Sequence, residues 1–171
     1  MVFTTQINSP IGIITITASN LGIKALQIKF DNKQAGNNNK LKIIQTTHKH
    51  LPNSLQEEIC LQAEQELMEY FLGLRKKFSI KLDPEGTKFQ KTVWTALCKI
   101  PYGQTISYKT IAENIKTPKA YRAVGNANSK NPIPIIIPCH RVISSDGSLG
   151  GYSLGLHIKK FLLNFEQKNT K

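Results

Sequence analysis

Apolar and polar positions alternate over the first thirty residues. Val2 to Ile7, Gly12 to Ala18 and Ile23 to Phe30 are rich in Ile and Thr, and Ile14, Ile16 and Ala18 fall on every second position. That is the period of strands with one buried face. Ser9 with Pro10, and the run Asn20, Leu21, Gly22, provide turn residues between these segments, so the pattern predicts two hairpins and a three-stranded antiparallel sheet. Asp31 to Lys42, with Asn37, Asn38 and Asn39 at its centre, is polar and aperiodic and reads as a loop. From Ser54 the period becomes helical. Leu55, Ile59, Ala63, Leu67, Tyr70 and Phe71 recur on one face until Gly73, and Ser54 followed by Glu57 has the spacing of a capping box. This helix is expected to pack on the sheet.

Arg75 to Lys88 is basic and carries Asp83, Pro84 and Gly86, the composition of an exposed linker. It divides the chain into residues 1–84 and 85–171. The second part is mostly helical in pattern. Phe89, Val93, Leu97 and Ile100 make one amphipathic helix, with Trp94 as a core anchor, ended by Pro101, Tyr102 and Gly103. Ser107 is placed to cap a second helix bearing Tyr108, Ile111, Ala112 and Ile115. Thr117 followed by Pro118 offers the cap of a third, running from about Lys119 to Asn128. Two short helices joined tightly make a helix-turn-helix arrangement, whose second helix normally enters a DNA groove.

Charge strengthens that reading. The formal net charge of +12 over 171 residues favours a polyanionic partner, because neutralising phosphates releases counterions. Three cysteines without a secretory leader indicate a reducing compartment, and no apolar run has the length of a membrane span. The expectation is a cytoplasmic, soluble protein.

The chemistry concentrates at Ile133 to Val142, IPIIIPCHRV, where an apolar run stops at Pro138 and presents Cys139 beside His140 and Arg141. Only about 3% of an ordinary thiol is thiolate at neutral pH, so a nucleophilic cysteine needs help. His140 can take the proton directly or through a water, and Arg141 adds potential favouring the anion. The same dipeptide also fits an inert buried cysteine followed by a surface histidine.

The surrounding motifs select between these. Tyr102 and Gly103, the triplet Ile106 to Tyr108, Arg122 to Gly125, Asn131 and Pro132, then Gly151 to Ser153, and finally Leu162, Leu163 and Glu166 stand around PCHRV in an order and spacing that resembles the O6-alkylguanine-DNA alkyltransferases. The close likeness covers residues 89–166, with a looser one before it. It implies an α+β fold: a ribonuclease H-like lobe with a small antiparallel sheet and helix, then a helical, winged-helix-like lobe with the helix-turn-helix. It implies direct-reversal repair of double-stranded DNA containing O6-alkylguanine, in which a flipped base gives its alkyl group irreversibly to Cys139. By the same resemblance His140 is the base through water, Glu166 orients it, Tyr108 donates a proton to the departing guanine, and Asn131 ties down the turns. Arg122 fills the gap left by the base, while Ala123 and Gly125 let the helix lie close to the groove from the minor-groove side. Val142, Tyr152, Ser153 and Leu154 line the pocket, with carbonyls of Cys139 and Val142 accepting from the exocyclic amine. No cofactor is implied, and a monomer suffices.

Departures from the family pattern also carry information. Some relatives hold zinc in the N-terminal lobe, but no cysteine precedes Cys60 and His48 and His50 lack thiol partners, so no metal is expected. Cys60 and Cys98 fall in predicted helices and read as buried structural thiols. Two other classes stay open: a lesion-binding protein without chemistry, which in relatives replaces the motif cysteine, and a regulator using the helix-turn-helix alone. A cysteine hydrolase is disfavoured because nothing resembles an oxyanion loop. Leu154 stands where many relatives carry glycine, and a branched side chain there narrows the pocket mouth. Leu154→Gly should therefore speed reaction with O6-benzylguanine relative to the methyl substrate; equal rates before and after the change would refute this.

Overall fold

The computed structural model describes residues 1–29 and 52–170. The expected loop at Asp31 to Lys42, together with Phe30, His48 and His50, lies outside them. Contacts divide the chain into two compact units, Met1–Pro84 and Glu85–Lys171.

In the first unit the alternating segments form β1 (Phe3–Ser9), β2 (Gly12–Ala18) and β3 (Ile23–Lys29). They make one antiparallel sheet in the order β1-β2-β3, with Ile7 opposite Ile14 and Ile16 opposite Leu26. Ile14, Ile16 and Ala18 are fully buried, as the period of two demands. Helix α1 (Leu55–Phe71) covers them with Ala63, Leu67, Tyr70 and Phe71. Ser54 caps it, accepting from the Glu57 N–H at 3.2 Å, while the Glu57 carboxylate reaches back to the Asn53 N–H at 2.8 Å. The predicted face is shifted at its start: Leu55 is 53% exposed, and Cys60 is buried instead, its thiol near the Phe3 carbonyl. Burial pushes the Cys60 thiol up to about 12, with Glu64 adding to the effect, so it is inert.

The expected linker is only partly a linker. Ser79 to Asp83 is fastened to the first unit: Ile23 donates to Lys81 O at 2.9 Å and Asp83 to Ile23 O at 2.8 Å, in a parallel bridge beside β3. Buried Glu66 of α1 accepts from the backbone of Ser79 and Ile80. The sequence pattern misses this because the tie runs through backbone groups.

The second unit holds α2 (Lys88–Leu97), β4 (Ile106–Ser107), α3 (Tyr108–Asn114), α4 (Tyr121–Ser129), β5 (Val142–Ile143) and α5 (Leu156–Lys168). A reciprocal capping box between Thr87 and Gln90 starts α2, a signal the apolar pattern does not register. Cys98 closes α2 but is exposed, not buried as expected, because it falls on the solvent side of the last turn. Ser107 caps α3, accepting from the Thr110 N–H at 3.0 Å. Thr117 makes no capping bond. A 3-10 turn, Pro118–Ala120, intervenes, so the second helix of the pair begins at Tyr121 and not at Lys119. The left-handed backbone of Lys116, at φ 60°, ends α3 and sets up that turn.

Trp94 fixes α2 to α4. Its ring is 2% exposed and its indole N–H donates to Ala127 O at 2.9 Å. Trp94→Phe should cost about 1–3 kcal/mol, most of it from the buried carbonyl left without its donor. Urea unfolding checks this; an unchanged midpoint would mean the bond contributes nothing.

Candidate active site

Every residue from Ile133 to Val142 is buried. The run is not a strand: Ile137 donates back to Ile133 O at 2.9 Å, and Ile135 sits at φ 76°, a conformation that a β-branched residue holds only inside a packed turn. It delivers Cys139 into a 3-10 turn, Cys139–Arg141, that leads straight into β5. β5 pairs in parallel with β4, Ile106 opposite Val142 and Ser107 opposite Ile143. This short ladder sets Tyr108, the residue after β4, next to the turn before β5.

Cys139 is 1% exposed. Asn131 holds it directly: its Nδ2 donates to Sγ at 3.0 Å and to Ile137 O at 2.8 Å, while its Oδ1 accepts from the Ile133 N–H at 3.0 Å. Asn131 is therefore more than a tie between turns, since it touches the reacting atom. Burial pushes the thiol above its ordinary value; Asn131, the Tyr152 hydroxyl and Lys159 pull the other way without overcoming it. The Tyr152 hydroxyl faces this sulfur outside ordinary hydrogen-bond geometry.

His140 is fully buried and bonds Glu166 Oε1 through Nε2 at 2.8 Å. Burial lowers its pKa, Glu166 opposing, so the ring is neutral at neutral pH. Burial alone would raise the Glu166 carboxyl, but hydrogen bonds from His140 and Arg141 prevail and hold it at about 2. An ionised carboxylate only accepts, so the proton of the neutral ring sits on Nε2. The other nitrogen, Nδ1, is then a bare lone pair. It is buried and has no hydrogen-bond partner among the described residues.

Arg141 does not act on the thiol. Its Nε and one terminal nitrogen each reach Glu166 at 2.9 Å, another donates to Ile100 O at 2.7 Å, and the guanidinium lies 5.6 Å over the Tyr102 ring. Bidentate pairing spends its charge on the carboxylate. The cation facing the sulfur is Lys159 of α5, which sequence reasoning missed. It is fully buried, donates to Val142 O at 2.6 Å and also to Leu149 O and Gly151 O, and stands 6.0 Å from the Tyr152 ring. Burial brings its ammonium down to about 8, the Cys139 sulfur opposing. The signal was present: Lys159, Leu162, Leu163 and Glu166 fall three, four and seven apart on the buried face of α5, and a lysine there needs a reason. Asn128 was also missed; buried in α4, it donates to Cys139 O at 3.4 Å.

Around this centre, the half-buried Tyr108 has its phenol pushed up by burial and then by Cys139, so it stays protonated. Its ring lies 3.8 Å from where a side chain on Gly125 would begin. Arg122 and Ala123 are exposed on α4, with the Arg122 guanidinium 5.9 Å over the Tyr121 ring. Leu154 is half-buried and Ser153 exposed beyond Tyr152. The Cys139 carbonyl already accepts from the Val142 N–H as well as from Asn128, and the Val142 carbonyl from Lys159. Among the described residues no group of three or more His, Cys, Asp or Glu is placed to hold a metal, and no helix is long and apolar enough to cross a membrane.

A buried cysteine with a neutral histidine, a fixed carboxylate and a phenol, set behind a helix-turn-helix pair, defines a thiol-based group-transfer protein. Known proteins make the class specific. Family models match residues 2–84, as the 6-O-methylguanine DNA methyltransferase, ribonuclease-like domain, and residues 88–168, as its DNA binding domain. A methylated-DNA–protein-cysteine methyltransferase of Methanosarcina barkeri is 47% identical over 165 residues, 96% of this chain and 97% of its own. The constitutive enzyme of that name from Bacillus subtilis is 49% identical over 127 residues, 74% of this chain and 73% of its own. Mycobacterium tuberculosis OGT, crystallised in complex with DNA, superposes with a TM-score of 0.76 at 40% identity, covering 96% of this chain and 92% of that one. The chain belongs to the 6-O-methylguanine DNA methyltransferase family.

The carboxyl of Glu166 titrates at about 2 in the fold against 4.5 in a free chain. Its stabilisation is thus complete above pH 4.5 and lost as pH falls toward 2. Glu166→Gln should lower stability at pH 7 by about 3–5 kcal/mol, since it leaves Arg141 buried and uncompensated. Unfolding followed from pH 7 to pH 2 should also show a flatter profile in the variant.

Proposed function

We propose that this chain repairs double-stranded DNA by direct reversal, moving the alkyl group of O6-alkylguanine onto Cys139 once and irreversibly. The observation that carries the reading is the bare, buried Nδ1 of His140, the residue that follows the buried Cys139, with Glu166 fixing the ring. The α4 helix enters the minor groove, where Ala123 and Gly125 permit close approach and Arg122 occupies the space of the flipped nucleotide, an event costing a few kcal/mol. The base lodges against Tyr152, Ser153, Leu154 and the Val142 carbonyl.

The thiol proton passes to His140 Nδ1, directly or through one water, and Glu166 stabilises the imidazolium that forms. Lys159 and the Asn131 amide favour the thiolate as it develops. Sulfur attacks the alkyl carbon, a C–S bond forms, and the carbon–O6 bond breaks with its electron pair leaving on guanine. Tyr108, protonated because of its burial, supplies a hydrogen bond or proton to that leaving group. The product is a thioether, and among the described residues no group at the site is disposed to hydrolyse it. Each molecule acts once, as a monomer, without cofactor and in the cytoplasm. In this scheme residues 1–84 are the ribonuclease-like domain and residues 85–171 the alkyltransferase domain.

Mixing the protein with a duplex that holds one O6-methylguanine should add the mass of one methyl group at Cys139, and Cys139→Ala should gain nothing. Tight lesion binding without a mass change would move the protein to the lesion-flagging class.

A further inference from the structure

Charge is unevenly shared between the two units. Residues 85–171 carry 13 Lys and Arg against 4 Asp and Glu, whereas residues 1–84 carry 10 against 7. Two of the basic residues of the second unit, Arg141 and Lys159, are consumed inside the site. Others lie far from it in the sequence, and three line one groove.

That groove runs along α2 and meets the end of α3. Lys88, Lys91 and Lys99 line it with Thr92, Thr95 and Asn114. All three lysines are exposed, and none makes an ion pair among the described residues. Among the described residues, no acidic one lines the groove. The two threonines have turned their hydroxyl protons onto backbone carbonyls, Thr92 to Lys88 O at 2.9 Å and Thr95 to Lys91 O at 2.8 Å, which leaves the ammonium groups as the free donors. The opposite face of α2, Val93, Trp94 and Leu97, is core. Exposed lysines crowded into one acid-free concavity repel one another, an arrangement stabilised when a polyanion neutralises them.

We infer that the α2 groove is a second DNA contact, which takes the sugar–phosphate backbone of the duplex flanking the lesion held at α4. The inference rests on the function proposed above and extends its surface. Helix α2 rises about 14 Å from Lys88 to Leu97, close to the axial length of four nucleotide steps in one strand, and Lys99 follows just past its end. The Trp94 bond to Ala127 O locks α2 to α4, so the groove keeps a fixed position relative to the recognition helix. A membrane surface fits poorly, because among the described residues the lining presents no Trp, Phe or Leu to enter the acyl boundary. The contact carries no base readout: it adds affinity and reach, and specificity stays at the pocket.

The test is the salt dependence of binding. Lys88→Gln, Lys91→Gln and Lys99→Gln are combined, with the matching Lys→Arg triple as control and thermal melting to confirm that both fold. On a duplex of about 30 base pairs with a central lesion, the slope of log Kobs against log salt should become shallower by about 2 to 3 in the Gln triple, near 0.9 per phosphate, and stay unchanged in the Arg triple. On a short duplex that does not extend past the recognition helix, Gln triple and parent should have equal slopes. Equal slopes on the long duplex would overturn the inference. So would a complex of two duplexes per protein that the Gln triple loses, which would make the groove a site for a second DNA molecule. Methyl transfer by the unmodified chain is read separately by mass, so failure of the repair reading and failure of the groove are distinguishable.

Discussion

One buried carboxylate organises the second unit. Glu166 accepts from His140, twice from Arg141, and from the Gly103 N–H at 2.9 Å. An anion removed from water is tolerated only when its lone pairs are filled, and here two separate stretches of chain fill those of a residue on a third. The end of α5, the Cys139–Arg141 turn and the Tyr102–Gly103 turn are thereby drawn to one point. Gly103 stands at φ 73°, and a side chain there would collide with Thr170, so the turn that brings its N–H to the carboxylate needs glycine. The same anion fixes which nitrogen of His140 is protonated. Architecture and chemistry depend on a single charge.

The groups around the sulfur are displaced from their ordinary acidities in complementary directions. Burial holds the thiol and the Tyr108 and Tyr152 phenols in their protonated forms, and holds His140 in its neutral one. The resting site is nearly uncharged at the sulfur, although an anion and two cations stand within its walls. The charge separation that chemistry requires is met by dipoles and ions already in place.

Much of this was legible in the sequence. A period of two gave the sheet, Ser54 and Ser107 gave their caps, and PCHRV with its surrounding motifs pointed to Cys139, His140, Asn131 and Glu166, which the structure brings together. What was not legible depends on where a side chain turns after the backbone has been placed. Arg141 looks like the cation for the thiol because it is adjacent in sequence, yet a 3-10 turn points it at Glu166. Lys159, twenty residues downstream, is the one that faces the sulfur. Cys98 reads as core from its helical context, but the helix ends there and leaves it outside. Thr117 has the sequence of a cap, and the left-handed Lys116 before it sends the chain into a 3-10 turn instead.

A nucleophile that acts only once must not be lost to other reactants. Oxidants and stray electrophiles attack thiols in proportion to exposure and thiolate character, and Cys139 offers little of either. Its seclusion therefore sets the shelf life of the unreacted protein as well as its reactivity. Cys98, on the surface of the same unit, meets such agents first. For Cys139, protection and idleness come from the same enclosure, which keeps the sulfur buried and protonated.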